Sequence, residues 1–265
     1  MLAKQVPDTS SGRRFEGSRL VRGEDDVLNE FDENAVEAAA QLVAAYGGEV
    51  LAVSMGTEDA SDALVRCLAL GADSAYLLSD PLLENADVTV TARALAALIS
   101  LLAEEEAIDL VLCGMAASDA MTSMLPAALA AVMNVPLVSQ VRELTVDPAK
   151  GHVQALRSVD GVDETLRAPL PAVVSVTDQL NEPRFPGFKD LKAARAKPLV
   201  QAELDDVAGY DPSGCLSELL SGARSEMPLS VVSMTEHNRG GSGEVFSDTG
   251  DGGTRLAEFI EEKMK

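Results

Sequence analysis

Short apolar runs alternate with helical patterns along most of the chain. Apolar runs at residues 49–55, 74–78, 109–113 and 172–176 predict buried strands. Apolar positions spaced three and four apart predict amphipathic helices at residues 33–46, 56–69, 87–104 and 122–133. Strands that alternate with helices are typical of βαβ units. We therefore predict an α/β fold with a Rossmann-like open parallel sheet and crossover helices.

The later part of the chain has different patterns. Residues 137–144, 152–158 and 162–167 are extended segments separated by Lys150-Gly151 and Asp160-Gly161, which predicts an added β-hairpin. Residues 7–32 form a long charged segment that we expect to be a loop. After residue 198 the periodicity weakens, and residues 240–253 are rich in glycine. A short helix at residues 254–264 would end an extended C-terminal arm.

Charge and rare residues exclude several classes of function. The chain has 21 Lys and Arg against 43 Asp and Glu, so its net charge of −22 disfavours nucleic acid as a partner. Three scattered cysteines indicate neither disulfides nor a metal site, and we predict no metal. His152 and His237 lack a neighbouring nucleophile, so we predict no catalytic residue. No apolar stretch approaches membrane-spanning length, and we expect a cytoplasmic protein without direct membrane insertion.

Residues 184–197 reverse the local charge of this acidic chain. Five basic residues stand there against Asp190, and two aromatic residues, Phe185 and Phe188, lie among them. Apolar rings surrounded by positive charge favour a docking surface for an acidic partner. The alternative is a solvated helix entered through a proline-rich turn. The residues that we expect to bind the partner are Arg184, Phe185, Phe188, Lys189, Lys192 and Arg195.

Two strand-to-helix turns are candidates for a ligand site. Met55-Gly56-Thr57 and the segment 114–123 each follow a predicted strand, and their small residues let a backbone approach a phosphate or a ribose. The chain contains neither GxGxxG nor GxxxxGK[ST], so ordinary turns are the alternative. Phe31 precedes the first predicted helix and is a candidate stacking ring, or else a hydrophobic staple for that helix.

Six segments occur in an order and spacing that resemble one known family. They are KQVPDT (4–9), LNEFDEN (28–34), VSMGTEDASDALVRCLALGAD (53–73), DLVLCG (109–114), LPAVVSV (170–176) and LNEPRFP (180–186). Over nearly its whole length the chain resembles the beta subunit of electron transfer flavoprotein, the FixA-type family. LNEPRFP is the most specific of the six.

The resemblance implies a heterodimer in which an alpha subunit holds most of one FAD. The beta subunit would contribute a nucleotide-binding-like domain, here residues 1–198, that in many members buries AMP. Residues 176–198 would be the loop that recognises a partner, with Phe188 as its leading anchor, and residues 199–265 the arm that wraps the partner subunit. Such proteins turn over no substrate of their own. They carry electrons from acyl-CoA and related dehydrogenases, as in fatty acid oxidation, to a membrane quinone oxidoreductase.

By position, the resemblance assigns one set of residues to the nucleotide, with Phe31 as the aromatic that approaches the flavin. The set is Leu2, Asn29, Glu30, Phe31, Asp32, Met55, Gly114, Met115, Ala116, Ala117, Ser118, Asp119, Ala120, Met121, Thr122, Ser123, Met124 and Leu125.

The chain departs from the family pattern in two places. Its loop reads Asp119, Ala120, Met121, Thr122, Ser123, Met124, with Pro126 in place of a glycine, and methionine donates no hydrogen bond. This leaves weak AMP binding, another nucleotide, or closure of the pocket by its own side chains. Only Met1, Leu2 and Ala3 precede KQVPDT, so we expect a longer N-terminus to stabilise the first strand. The alternative function is a stand-alone adenine-nucleotide-binding protein of the universal-stress type.

Overall fold

The computed structural model describes residues 1–11, 14–17, 19–224, 227, 229, 231–233, 235 and 247–263. They form two compact units, Met1–Val231 and Val232–Lys265. The strands are β1 (Gln5–Pro7), β2 (Phe15–Glu16), β3 (Arg19–Leu20), β4 (Asp26–Leu28), β5 (Leu51–Met55), β6 (Ser74–Leu78), β7 (Leu110–Gly114), β8 (Leu137–Asp147), β9 (His152–Val159), β10 (Val162–Pro169), β11 (Ala172–Val176) and β12 (Leu199–Ala202). The helices are α1 (Glu30–Tyr46), α2 (Ser61–Leu70), α3 (Val88–Leu102), α4 (Leu125–Met133), α5 (Phe188–Ala194), α6 (Leu204–Val207), α7 (Cys215–Leu220) and α8 (Gly252–Lys263).

The main sheet of the first unit is mostly parallel. One part has the order β12-β6-β5 and another the order β10-β9-β8-β11-β7. Residues 1–3 join the two parts: the Leu2 N–H donates to Leu112 O at 2.7 Å, and the Ala3 N–H donates to Val53 O at 2.9 Å. β11 runs parallel to both β7 and β8, whereas β8, β9 and β10 are antiparallel. The predicted α/β fold with an open parallel sheet and an added hairpin is confirmed.

Helices cover both faces of this sheet. Alternate strand residues enter different buried clusters: Ala52 and Leu112 pack with α1 and α2, whereas Val53 and Val111 pack with α3, α4, α6 and α7. Because side chains alternate between the two faces of a strand, the clusters lie on opposite sides of the sheet. Cys67, Cys113 and Cys215 are buried and unpaired in these cores. Such cysteines act as small apolar filling.

Glycine turns end the first two helices as predicted. Gly47 (φ 81°) follows α1 and Gly71 (φ 132°) follows α2, and both have the positive φ that glycine tolerates best. Asp160 (φ 50°) and Gly161 (φ 78°) make the turn between β9 and β10. Paired positive φ angles match the twist of antiparallel strands, which accounts for the predicted hairpin.

Several sequence predictions were wrong at element boundaries. The helix expected from residue 56 begins as a 3-10 turn at Glu58–Ala60 and continues as α2 only from Ser61. Residues 7–32 are not one loop, because β2 pairs with β3 and β4 pairs with β1. α1 begins at Glu30 rather than at residue 33, and acidic residues in its first turn suit the positive end of the helix dipole. α4 begins at Leu125 rather than at residue 122, because Ser123 has a left-handed backbone (φ 53°) and Pro126 suits the first turn of a helix.

Residues 199–220 pack within the first unit. β12 pairs with β6, and Leu204 and Leu216, from α6 and α7, are fully buried. The second unit contains α8, whose Leu256, Phe259 and Ile260 are each about half exposed. Residues 240–246 of the predicted glycine-rich segment and residue 264 of the predicted last helix lie outside the described residues. Within the described chain, no helix has the length and apolarity to span a bilayer.

Candidate functional site

The strand order reverses at residues 1–3, between β5 and β7. The chain leaves this segment for α1 and reaches β5 on one side, and it later returns through α3 to β7 on the other side. In open α/β sheets, ligands bind at such a reversal, outside the carboxyl ends of the strands. Here those ends are Met55 on β5 and Gly114 on β7.

The first turn of α1 is pressed against Gly114. A Cβ atom built on Gly114 would lie 2.6 Å from Asp32 Oδ1 and 2.7 Å from Phe31 Cβ. Asp32 Oδ1 accepts the Gly114 N–H at 3.0 Å, and Asp32 Oδ2 accepts the Lys4 N–H at 2.9 Å. Only glycine permits this approach, which fixes the start of α1 at the end of two central strands.

Asp32 is buried beneath this contact. Burial raises its pKa to about 7, although hydrogen bonds from Asn29, Lys4 and Gly114 oppose the rise. Burial disfavours the charged form of a carboxyl group because it removes hydrating water. Asp32 therefore titrates in the neutral range, and its two backbone contacts tie α1 to the sheet.

Asn29 holds the loop that follows β7. Its Nδ2 donates to Ala116 O at 2.9 Å, and its Oδ1 accepts the Ser118 N–H at 3.1 Å. Asn29 occupies the N-cap position of α1 but makes no capping bond with its side chain. An asparagine side chain offers both donors and an acceptor, so one residue satisfies two backbone groups of the loop. The predicted site residues 29–32 and 114–118 are thus brought together.

Asp119 forms an ionic cluster with two cations that the sequence analysis did not include in the site. The Lys4 Nζ donates to Asp119 Oδ2 at 2.7 Å, and the Arg22 guanidinium bonds the same oxygen. The Asp119 side chain is 2% exposed. Burial acts to raise its pKa, but the charge and hydrogen bond of Lys4, followed by those of Arg22, hold the pKa below its ordinary value. Lys4 belongs to the KQVPDT segment, whereas nothing in the sequence around Arg22 indicates this role.

The second oxygen of Asp119 bears on the kind of ligand that fits this site. Asp119 Oδ1 is buried without a hydrogen-bond partner among the described residues, so a ribose hydroxyl or an adenine amino group would suit it. Lys4 and Arg22 are both paired with Asp119. This leaves main-chain N–H groups and the exposed Thr122 and Ser123 hydroxyls to bind a phosphate. The donor set therefore fits the nucleoside part of a nucleotide better than its phosphate.

The remaining predicted loop residues face solvent to different degrees. Met121 and Met124 are each 52% exposed, and Met121 shares the left-handed backbone of Ser123 with φ 53°. Non-glycine residues adopt this conformation at some cost, often near functional sites. Leu125 begins α4 and is half-buried. Ala117 accepts the Ala120 and Met121 N–H groups and so closes a turn within the loop.

The other predicted nucleotide residues occupy contrasting positions. Leu2 is buried in the core and pairs with Val53 in the middle of β5, two residues before the strand end at Met55. Phe31 and Met55 are half-buried, and Glu30 is exposed. Phe31 is the second residue of α1, so its ring leaves the helix beside the Gly114 turn.

The predicted partner-binding residues lie in a separate segment, 180–197, which we call the docking segment. Phe185 and Phe188 are 91% and 83% exposed, as the sequence analysis expected. Lys189, Lys192 and Arg195 are exposed and form no ion pair with the residues that the structure describes. Three free cations around two bare aromatic rings make a surface complementary to an acidic, partly apolar partner.

Arg184 differs from the other predicted partner residues. Its Nε donates to Glu37 Oε2 at 2.6 Å, and its Nη2 donates to Glu37 Oε1 at 3.0 Å. Lys197 is also engaged, since its Nζ donates to Leu68 O and to Ala72 O at the end of α2. Two of the five basic residues in the docking segment therefore bind the protein itself.

The fold and these two sites define a Rossmann-like α/β protein with an exposed, basic and aromatic docking segment. The profile of the Electron transfer flavoprotein domain matches residues 19–207. An electron transfer flavoprotein subunit beta from Mycobacterium leprae is 34% identical over 269 residues, which cover 98% of this chain and 96% of the relative. Protein FixA of Azotobacter vinelandii is 33% identical over 72% of this chain and 70% of its own length. The caffeyl-CoA reductase-Etf complex subunit CarD of Acetobacterium woodii is 33% identical over 80% of each chain.

The chain therefore belongs to the electron transfer flavoprotein family, as a beta subunit. It is an electron-carrier subunit, and the resemblance drawn from the six sequence segments is confirmed. Membership of this family favours electron transfer over the alternative of a stand-alone adenine-nucleotide-binding protein.

Proposed function

We propose that this chain pairs with an FAD-bearing alpha subunit and carries electrons from acyl-CoA and related dehydrogenases to a membrane quinone oxidoreductase. The observation that carries the proposal is the docking segment. In a chain of net charge −22, it exposes Phe185 and Phe188 beside three cations that form no ion pair within the described part of the chain. An isolated subunit gains nothing from large exposed rings, whereas an interface uses them as anchors.

FAD supplies the redox chemistry when it is bound, because its ring system stores and releases the electrons. In our proposal the alpha subunit holds most of the FAD, and Phe31 approaches the flavin from the beta side. Phe31 is suited to this role because α1 is fixed at Gly114 and Lys4 through Asp32. A ring on an anchored helix keeps its position better than one on a loop.

The site at the carboxyl ends of β5 and β7 is proposed to hold a nucleotide of the adenosine type. Asn29, Asp32 and the loop 114–125 would surround it, and Asp119 Oδ1 would accept a hydrogen bond from the ribose or the base. Because Lys4 and Arg22 are bound to Asp119, we expect AMP to be held through main-chain N–H groups and to bind weakly. Mass spectrometry of the ligand released from the purified heterodimer identifies the occupant.

The donor is proposed to be a dehydrogenase that acts on CoA esters. The name of the relative CarD places that protein in a complex with a caffeyl-CoA reductase, which supports this class of partner here. A panel of acyl-CoA dehydrogenases, each with its own substrate, tests the proposal through the rate at which the flavin of the heterodimer is reduced. Reoxidation by a quinone oxidoreductase then tests the acceptor.

Co-expression with a candidate alpha subunit is the first experiment. A yellow complex with one copy of each chain, which accepts electrons from at least one dehydrogenase of the panel, is the expected result. A colourless monomer that binds ATP would favour the adenine-nucleotide alternative. A yellow complex that no dehydrogenase in the panel reduces would contradict the proposed donor class and leave the pairing intact.

A further inference from the structure

Two polar contacts fasten the docking segment to α1. In the first, the Asn34 Nδ2 donates to Asn181 O at 2.9 Å and to Asn181 Oδ1 at 3.1 Å. The Asn181 Nδ2 donates in return to Asn34 O at 3.0 Å. The two residues are 147 positions apart in the chain. Because each amide bonds the backbone of the other residue, this contact fixes the path of the main chain as well as the side chains.

The second contact is the pairing of Arg184 with Glu37. Besides the two guanidinium bonds, the Arg184 backbone N–H donates to Glu37 Oε2 at 3.3 Å. The Glu37 side chain is 8% exposed and also accepts from Gln41 Nε2 at 2.8 Å. Hydrogen bonds from Arg184 lower the pKa of Glu37, although burial opposes the change. Two parallel guanidinium bonds to one carboxylate are directional, so they fix the orientation of Arg184.

Further contacts hold the docking segment on the C-terminal side of Phe185. The Gly187 N–H donates to Asp190 Oδ2 at 2.8 Å at the start of α5, and Ala194 at the end of α5 is buried. Lys197 then bonds the end of α2. Phe185 and Phe188 therefore project from a short stretch that is fixed on both sides.

We propose that Glu37 and Arg184 form a clamp that positions Phe185 and Phe188 for docking, and that Arg184 is not itself a contact for the electron donor. This inference rests on the proposed docking function. A segment that is already ordered loses less conformational entropy on binding, so the clamp raises affinity without touching the partner. Arg184 and Glu37 are positioning residues in this scheme.

The Glu37→Gln variant separates positioning from charge, because the two effects have opposite signs. Removing the Glu37 carboxylate from α1 makes the surface around the docking segment more positive, which by electrostatics alone would lower the KM for an acidic donor. Loss of the clamp would raise the KM, by about ten- to a hundredfold if the whole contribution of one charge-assisted bond is lost from binding. Glu182→Gln is the matched control, because exposed Glu182 lies in the same segment and loses the same charge, and among the described residues it forms no hydrogen bond or ion pair with Glu37 or Arg184.

The assay uses the complete heterodimer, with rates of flavin reduction measured against donor concentration. We expect Glu37→Gln and Arg184→Gln to raise the KM while kcat and FAD content stay unchanged. The double variant should be no worse than either single variant, since both break the same contact. Arg184→Lys, which keeps the charge but loses the paired geometry, should recover only part of the affinity.

Hydrogen exchange at residues 185–195 tests the clamp without any donor. Faster exchange in Glu37→Gln than in Glu182→Gln is expected. The inference is overturned if Glu37→Gln leaves this exchange unchanged, or if it lowers the KM as Glu182→Gln does. It is also overturned if Arg184→Gln raises the KM equally with and without Glu37. Phe188→Ala in the same assay distinguishes the two proposals: an unchanged KM there would contradict the docking function, whereas the exchange result judges the clamp alone.

Discussion

The Phe188→Ala substitution gives the most direct test of the docking segment. The ring is 83% exposed, so its removal deprives the free protein of little packing. Full burial of a phenylalanine side chain is worth about 1.5–3 kcal/mol. A donor that covers the exposed part of the ring would gain roughly 2 kcal/mol, which corresponds to a KM increase of about thirtyfold.

The measurement is steady-state reduction of the heterodimer by a donor dehydrogenase over a range of donor concentrations. We expect a higher KM, an unchanged FAD content and a melting temperature close to that of the unmodified protein, because exposed side chains contribute little to stability. Val162→Ala is the matched control, since Val162 is an apolar residue that is 58% exposed on β10, outside the docking segment. Its KM should stay unchanged.

Three results would refute this reasoning. An unchanged KM in Phe188→Ala would mean that the donor does not cover the ring. Loss of flavin with an unchanged KM would instead place Phe188 at the contact with the alpha subunit. An equal effect of Val162→Ala would show that the assay responds to any exposed apolar residue, and the docking segment would lose its special status.

Three further predictions concern the strand ends and the charge of the docking segment. Gly114→Ala should lower the free energy of unfolding in urea by about 1–3 kcal/mol, because its Cβ would lie 2.6 Å from Asp32, and Gly209→Ala, with open space around it, should not. The pKa of Asp32 is about 7 in the folded state against an ordinary value of 3.8, so the free energy of unfolding should fall as pH rises from about 4 to 7, by at most about 1.4 kcal/mol per pH unit. Calorimetry should show that the Asp32→Asn variant lacks this slope, and a slope that persists in the variant would contradict the assignment. Lys192→Gln should slow electron acceptance about two- to fivefold at low salt and much less at high salt. Lys150, which lies outside the docking segment, is the control, and an equal effect of Lys150→Gln would argue against electrostatic steering of the donor to the docking segment.

Periodicity predicted the sheet because the apolar runs of the central strands are buried on both faces. Residues 172–176 are all buried, which is the pattern of a central parallel strand, and the predicted and observed bounds agree. The start of α4 was predicted wrongly because Thr122, Ser123 and Met124 continue the helical pattern in sequence. The left-handed backbone at Ser123 interrupts that pattern, and no local feature of the residue types indicates it.

The polar partners at both sites were beyond sequence reasoning for a related physical cause. Asp119 meets Lys4 and Arg22 across 115 and 97 residues, and Arg184 meets Glu37 across 147. A single sequence contains no signal that pairs such distant charges, because each charge alone is compatible with a solvated surface. The sequence therefore identified the docking segment correctly as basic, but only the fold shows that Arg184 and Lys197 bind groups within the protein.

α1 links the two proposed sites through one rigid element. Its first turn carries Phe31 and Asp32 at the strand ends, and its second turn carries Asn34 and Glu37, which hold the docking segment. Glu37 follows Phe31 by six positions, a rise of about 9 Å along a helix. Ala35 and Val36 between them are fully buried, so this part of α1 is fixed in the core. A buried helix, and not a mobile loop, would thus orient a donor that binds Phe185 and Phe188 relative to the flavin side of the subunit. This role accounts for the internal bond of Arg184, although a free cation in the docking segment would attract the donor.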